Sequence, residues 1–179
     1  MIRIITMVLI VVVNYVLQTT LLPHVAILGV TPDTALVLIV SYAILRGDIE
    51  GAMFGLFAGL VQDVSGGTVV GVFALLGFLT GYVCGKPFRD FFKENYFLPF
   101  FVVVGASLLH QFAFYVTTIM FTGQLDFFHY VRTIILPGTI YTASLSIPIY
   151  IVLHFANTLV ERHENNMRNW FDRNSGEAK

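Results

Sequence analysis

The chain has 179 residues, of which 56% are hydrophobic and 12% are charged, and its mean hydropathy is +0.79. Soluble domains carry about 25% charged residues, so this composition excludes an ordinary water-soluble domain and indicates that lipid solvates much of the surface. The formal net charge of −1 argues against a nucleic-acid-binding protein, which needs a basic face. The single cysteine, Cys84, excludes an internal disulfide, and no Cys/His cluster predicts a metal site.

Six apolar stretches predict membrane-spanning helices, since a bilayer core of about 30 Å needs about 20 apolar helical residues. They lie at about 4–22, 33–46, 48–63, 68–85, 96–121 and 133–158. The first is interpreted as a retained helix, because no small-x-small cleavage site stands near Leu22 and Pro23 and further spans follow. The sequence therefore predicts an all-α bundle over residues 1–160 and a short cytoplasmic tail over 161–179, which forms either an interfacial helix or a loose segment.

The second and third stretches are short for a full crossing, because about 14 residues at 1.5 Å each reach only about 21 Å. They form either two short spans, which we favour, or a re-entrant hairpin. The start of the second stretch is marked by local signals: Thr31 is a candidate N-cap, Pro32 suits the first helical position and Asp33 complements the positive helix end.

The basic residues predict the orientation. If the N-terminus is cytoplasmic, Arg3, Arg46, the loop with Lys86, Arg89 and Lys93 and the four basic residues of the tail all lie inside, and only Arg132 lies outside. The loops at 23–32, 64–67 and 122–131 contain no Lys or Arg. The positive-inside rule therefore favours six crossings with both termini in the cytoplasm.

Glycines recur every four residues in two neighbouring spans. Close approach of helix backbones in lipid depends on such small residues, so each row predicts a tightly packed helix face. The spacing leaves open whether that face meets another helix of the chain or a partner protein. The candidate helix-packing or partner-binding residues are Gly51, Gly55 and Gly59, preceded by Gly47, and Gly77, Gly81 and Gly85.

Several uncharged polar residues lie within the spans, where they either form interhelical hydrogen bonds or line a polar cavity. They are Asn14 and Gln18, His110 and Gln111, and Ser144 and Ser146 ahead of Pro148, where a kink is expected.

Two acids, Asp33 and Asp63, are expected at the outer ends of the second and third spans. Asp63 is either a helix-end residue before the loop at 65–67 or a buried acid that fixes that loop or contacts a partner. Asp33, Asp63, Asn14 and Gln18 are the candidate structural polar residues.

No catalytic, metal-binding or cofactor-binding motif is found. The five histidines are scattered, with no HExxH pair on one helix face, and neither a GxSxG elbow nor a phosphate-binding glycine loop is present. Ser107 and His110 lie three residues apart, which is weak evidence for a hydrolase. The sequence predicts a protein that is not an enzyme.

The segment from Pro32 to Tyr82 resembles the MreD family of bacterial rod shape-determining membrane proteins. It opens with Pro32-Asp33, carries Tyr42 late in that helix and turns at Arg46-Gly47. A glycine-rich helix follows and ends in Gly59-Leu60 and Gln62-Asp63, before a glycine-rich loop. Chain size and the basic tail agree, whereas the remaining sequence matches only in hydropathy.

The resemblance implies a non-enzymatic scaffold in the inner membrane that supports lateral peptidoglycan synthesis and cell shape. The implied partners are the bitopic protein MreC, the glycosyltransferase RodA, a class B penicillin-binding transpeptidase and, indirectly, the MreB cytoskeleton. The implied fold is similar to the S components of ECF vitamin transporters.

The alternative function is itself such a substrate-binding S component. S components carry small residues on the first helix, typically an Ala-x-x-x-Ala pattern, that engage the coupling subunit. Residues 1–25 here contain no alanine and no glycine and are dominated by Ile, Val and Leu, which counts against this function.

Overall fold

The computed structural model describes residues 2–26, 30–66, 71–88, 98–122 and 127–176, and the elements within those ranges are helical. The helices are α1 (Ile2–Thr20), α2 (Thr34–Arg46), α3 (Asp48–Gly66), α4 (Val72–Phe88), α5 (Leu98–Thr122), α6 (Phe127–Tyr130) and α7 (Leu136–Gly176). A 3₁₀ turn at Leu22–Val25 follows α1, and a π-helical turn at Val131–Ile135 connects α6 to α7. The all-α prediction is confirmed.

Three segments within the described ranges are long and apolar enough to cross a bilayer: Thr6–His24, Pro99–Thr117 and Phe127–Thr158. Two more helical segments, Thr34–Arg46 and Val72–Lys86, are apolar but shorter. Helix α3 has 19 residues and ends three residues later than predicted. It contains three acids and is not one of these apolar segments. Six crossings, and the choice between two short spans and a re-entrant hairpin, stay predictions.

Helix α2 lies at the centre of the bundle, in contact with α1, α3, α4, α5 and α7. Each residue from Thr34 to Leu45 is buried, as expected for a helix that is apolar on all sides. The ring of Tyr42 stacks on Phe54 of α3 with 4.5 Å between the ring centroids. The N-cap is Asp33 and the helix starts at Thr34, so the assignments of Thr31 as N-cap and of Pro32 as the first helical residue are both wrong. The Asp33 carboxylate accepts a hydrogen bond from the Leu36 amide.

Helices α3 and α4 form the most extensive helix pair, and the glycine rows of both helices lie in their interface. A Cβ built at Gly51 or Gly81 would meet the backbone of the other residue, and the same holds for Gly55 and Gly77. At the two ends, Gly59 lies against Phe73 and Ala74, and Gly85 lies against Gly47 and Asp48. We call this antiparallel contact the glycine seam. The six predicted glycines in it pack against other residues of the same chain.

Helix α1 lies at the edge of the bundle and contacts α2 and α3 only lightly. Val11 is its one buried residue among the side chains that the structure describes there. Helix α7 includes Pro148 and continues to Gly176, so the backbone of the predicted tail is helical up to that residue. Residues 177–179 of that tail, like the loop with Arg89 and Lys93, lie outside the described residues.

A polar cleft around Asp33 as the candidate functional site

Asp33, the N-cap of α2, makes polar contacts with three other helices. Its Oδ1 accepts hydrogen bonds from the Leu36 amide at 3.0 Å and from Nε2 of Gln62 at 3.2 Å. Its Oδ2 lies 3.5 Å from Nδ1 of His110. The Asp33 backbone amide donates to Oγ1 of Thr142 at 3.0 Å. One residue thus links α2 to α3, α5 and α7.

These contacts determine how the neighbouring groups are oriented. A carboxylate only accepts hydrogen bonds, so the Gln62 amide presents its NH₂ group to Asp33, and we assign a proton to Nδ1 of His110 because that nitrogen faces the carboxylate. The opposite atoms, Oε1 of Gln62 and Nε2 of His110, are buried and have no hydrogen-bond partner within the described part of the chain. A buried acceptor without a partner costs free energy, so both atoms need an explanation.

Both side chains line an open cleft of about 350 Å³ beside Asp33, which we call the polar cleft. One wall is aromatic: the ring of Phe73 lies 5.8 Å from that of His110 and 5.6 Å from that of Phe114, centroid to centroid. The volume falls in the range of about 300–1,000 Å³ that is usual for small-molecule sites. The other lining residues are Gln18, Val30, Thr31, Pro32, Ser107, Gln111, Tyr130, Ile134 and Thr142.

The π-helical turn at Val131–Ile135 forms part of this lining. A π turn shifts the i→i−4 hydrogen-bond pattern by one residue, and such turns occur frequently at functional sites. Here Nε2 of Gln111 donates to the carbonyl oxygen of Ile135 at 3.4 Å. Tyr130, just before the turn, is buried and lies against the ring of Tyr115, with 4.9 Å between the centroids. The turn thus places polar and aromatic groups of the α6–α7 segment beside α5.

Asp63 lies in the last turn of α3, and it is 3% exposed. Its two carboxylate oxygens accept hydrogen bonds from the backbone amides of Phe73 at 3.1 Å and Ala74 at 3.0 Å. These amides belong to the first turn of α4, which has no intrahelical acceptors for them. The structure therefore places Asp63 as a buried acid that fixes the start of α4.

The other sequence-predicted polar residues are divided between two places. Gln18 lines the polar cleft together with Asp33, whereas Asn14 lines a separate, apolar groove of about 550 Å³ between α1 and α7. Sequence reasoning named His110 as a midspan polar residue and Gln62 only as part of a motif. It missed their contacts with Asp33, because the three residues lie on different helices and share no local spacing.

The described residues of the cleft are not arranged as a serine-hydrolase triad. Asp33 and His110 have the contact that such a triad requires, but Nε2 of His110 has no partner within the described residues, Ser107 included. The Ser107 hydroxyl instead donates to Oγ1 of Thr139 at 3.4 Å. Within the same described part of the chain, no group of three or more His, Cys, Asp or Glu residues is arranged to hold a metal ion.

Comparison with known families decides the identity of the chain. The family described as rod shape-determining protein MreD matches residues 1–157. The chain belongs to the MreD family. No curated protein and no solved structure matches it. The match confirms the resemblance of the segment from Pro32 to Tyr82, which contains Asp33, Gln62 and Asp63, and extends it over most of the chain.

MreD proteins form a family of shape-determining membrane proteins, so membership indicates a role in rod shape determination and is consistent with the apolar helices. The comparisons give no support to the alternative function as an S component of an ECF transporter.

Proposed function

We propose that this MreD protein is a non-enzymatic scaffold of the elongation complex, embedded in the bacterial inner membrane through six crossings with both termini in the cytoplasm. It supports lateral peptidoglycan synthesis by binding MreC and the synthases RodA and the class B penicillin-binding transpeptidase, with MreB engaged indirectly. The family match over residues 1–157 is the observation that carries the proposal.

The arrangement of the helices restricts where a partner helix docks. The glycine seam was one candidate surface, but its glycines contact one another across α3 and α4, so a partner would have to separate these helices to reach them. A partner could reach an exposed apolar face on another helix without separating α3 from α4. Helix α1 offers one, because Val8, Val12 and Val16 lie one turn apart and are each at least half exposed.

We expect the single transmembrane helix of MreC to contact this face of α1. A face covered so little by the rest of the chain contributes little to the internal stability of the bundle, so it is free to pack against another helix. Close packing and interhelical contacts, and not hydrophobicity, provide the attraction between helices in lipid. A partner helix on α1 would supply close contacts to a face that the described part of the chain covers only lightly.

The experiment combines affinity purification with position-specific crosslinking in native membranes. A photoreactive amino acid is placed at Val12 on α1 and, as matched controls, at Val83 on α4 and Val152 on α7, which are also exposed. Each tagged variant is purified in mild detergent, and its crosslinked partners are identified by mass spectrometry.

Recovery of MreC and cell-wall synthases, with crosslinks to MreC from Val12 and weak crosslinks from the controls, supports the proposal. Crosslinks of equal strength from all three positions contradict the claim that MreC binds the α1 face, but they leave the proposed scaffold function standing. Recovery of ATPase subunits in place of MreC contradicts the scaffold itself.

A further inference from the structure

We infer that the polar cleft is a binding site for an uncharged, polyhydroxylated group, such as a sugar ring, presented either as a free sugar or as the headgroup of a lipid. The inference rests on hydrogen-bonding groups whose partners the described part of the chain does not supply. It is independent of the partner proteins proposed above.

The first step concerns the two acceptors without partners. Gln62 donates to Asp33, and Nδ1 of His110 lies 3.5 Å from the same carboxylate. With the proton on Nδ1, Oε1 of Gln62 and Nε2 of His110 are buried acceptors on two residues that line the cleft, and neither has a partner within the described residues. His110 is 4% exposed, so bulk water reaches it poorly. A ligand that satisfies both atoms has to bring hydrogen-bond donors, and hydroxyl groups supply them.

The second step concerns charge. Among the described residues that line the cleft there is no Lys or Arg, and the carboxylate of Asp33 lies in its wall. A phosphate or carboxylate ligand would therefore be repelled and would find no cationic partner. A ligand ammonium group would compete with His110 for Asp33, which already accepts from Leu36 and Gln62. An uncharged ligand avoids both the repulsion from Asp33 and the competition with His110.

The third step concerns the remaining lining. Beyond the hydrogen bonds described above, the hydroxyl of Thr142 still has a proton to donate, that of Ser107 can still accept, and the amide of Gln111 can do both. A matching ligand group should therefore both donate and accept. Hydroxyls do both, whereas an ammonium group only donates. The rings of Phe73 and Phe114, stacked 5.6 Å apart, offer an apolar surface on which the C–H face of a sugar ring can pack.

The binding experiment uses the full-length protein, purified without sugar-based detergents and reconstituted in phosphatidylcholine nanodiscs, because this lipid has no hydrogen-bond donors in its headgroup. Methyl β-glucoside is the soluble probe, followed by saturation-transfer NMR. Glucosyl diacylglycerol is the lipid probe, followed by its retention in native mass spectrometry. Tetra-O-methylated glucoside and phosphatidylethanolamine are the ligand controls.

We expect a glucosyl probe to bind saturably, and the methylated analogue, which has lost its donors, to bind at least about tenfold more weakly, as expected for the loss of two or more hydrogen bonds. Binding of both glucosyl probes assigns the sugar itself as the ligand group, whereas binding of the lipid probe alone assigns a lipid headgroup. Equal binding of the methylated analogue, preference for phosphatidylethanolamine, or no saturable binding of either glucosyl probe overturns the inference.

Variants then test the site on the protein. Gln62→Met and His110→Phe remove the two acceptors while keeping side chains of similar size, and each should weaken binding about fivefold to tenfold. Leu109→Met, at a position that is 71% exposed, is the matched control and should bind like the original protein. Unchanged binding in both acceptor variants overturns the inference. If a variant does not fold, the ligand controls on the unaltered protein still decide the question.

Discussion

Gly55 and Gly77 face each other so closely that a Cβ built on either residue would collide with the backbone carbonyl of the other. The contact is reciprocal and lies in the middle of the glycine seam. It requires glycine on both helices, because the colliding group is main chain and cannot rotate away. Neither helix can therefore accept a side chain here without moving apart from its neighbour.

We expect Gly55→Ala to destabilise the bundle by about 1–3 kcal/mol, the usual cost of forcing extra atoms into a packed interface. The measurement is thermal unfolding in detergent with a thiol-reactive dye, which reports the exposure of the buried, single Cys84. Gly105→Ala is the matched control, since a Cβ there meets nothing within 4 Å, and it should be neutral or stabilising by up to about 1 kcal/mol. Equal losses of stability in both variants would contradict the close backbone packing of the glycine seam at Gly55.

Gly71→Ala separates backbone strain from crowding. Gly71 has a φ of 103°, and a Cβ there would meet no atom within 4 Å. The substitution should cost about 1–2 kcal/mol, because side chains of L-residues clash with their own backbone at positive φ. The same unfolding assay measures it. A midpoint equal to that of Gly105→Ala would show that Gly71 does not require this conformation.

Asp63→Ala should loosen the first turn of α4. It removes both acceptors of the Phe73 and Ala74 amides and leaves these donors without partners, at a cost of about 1–3 kcal/mol for each buried group. Hydrogen exchange measured by mass spectrometry should show faster exchange at these two amides. Asp63→Asn keeps one acceptor oxygen and should give an intermediate rate. Unchanged exchange in Asp63→Ala would contradict the capping role.

A double-mutant cycle tests the contact between Asp33 and His110. Asp33→Asn keeps an acceptor for the Leu36 amide but removes the charge, and His110→Phe keeps an aromatic ring beside Phe73. Because the two residues lie in contact, the effects of the two substitutions on unfolding should not be additive, with a coupling of about 0.5–3 kcal/mol. Asp33→Asn combined with Leu109→Met is the control and should be additive. Additivity in both pairs would mean that the contact contributes nothing to stability.

Much of the fold could be predicted from the sequence because helix hydrogen bonds are local and apolar segments partition into lipid wherever they occur. The predicted stretches at 33–46 and 68–85 match α2 and α4 within four residues at either end. Two boundaries with polar residues differ from the prediction: α3 continues past Asp63 to Gly66, and the N-cap of α2 is Asp33 and not Thr31.

The candidate site could be predicted only in part. Asp33, Asp63 and Gln18 were recognised as unusual because charged and polar groups are costly in apolar segments. Their roles depend on which residues of the neighbouring helices lie opposite them. Asp63 meets the start of the following helix, whereas Asp33 meets Gln62, His110 and Thr142 from three other helices.

The sequence by itself determined the class of protein, the membership of the MreD family, the order of the helices and the two rows of closely spaced glycines. Only the tertiary structure decided that these rows face each other across α3 and α4, and that the groups around Asp33 form a cleft with two buried acceptors left over. The physical reason is that residue spacing specifies which side chains share a helix face. The rotation and pairing of whole helices, which come from packing over the entire bundle, specify what that face contacts.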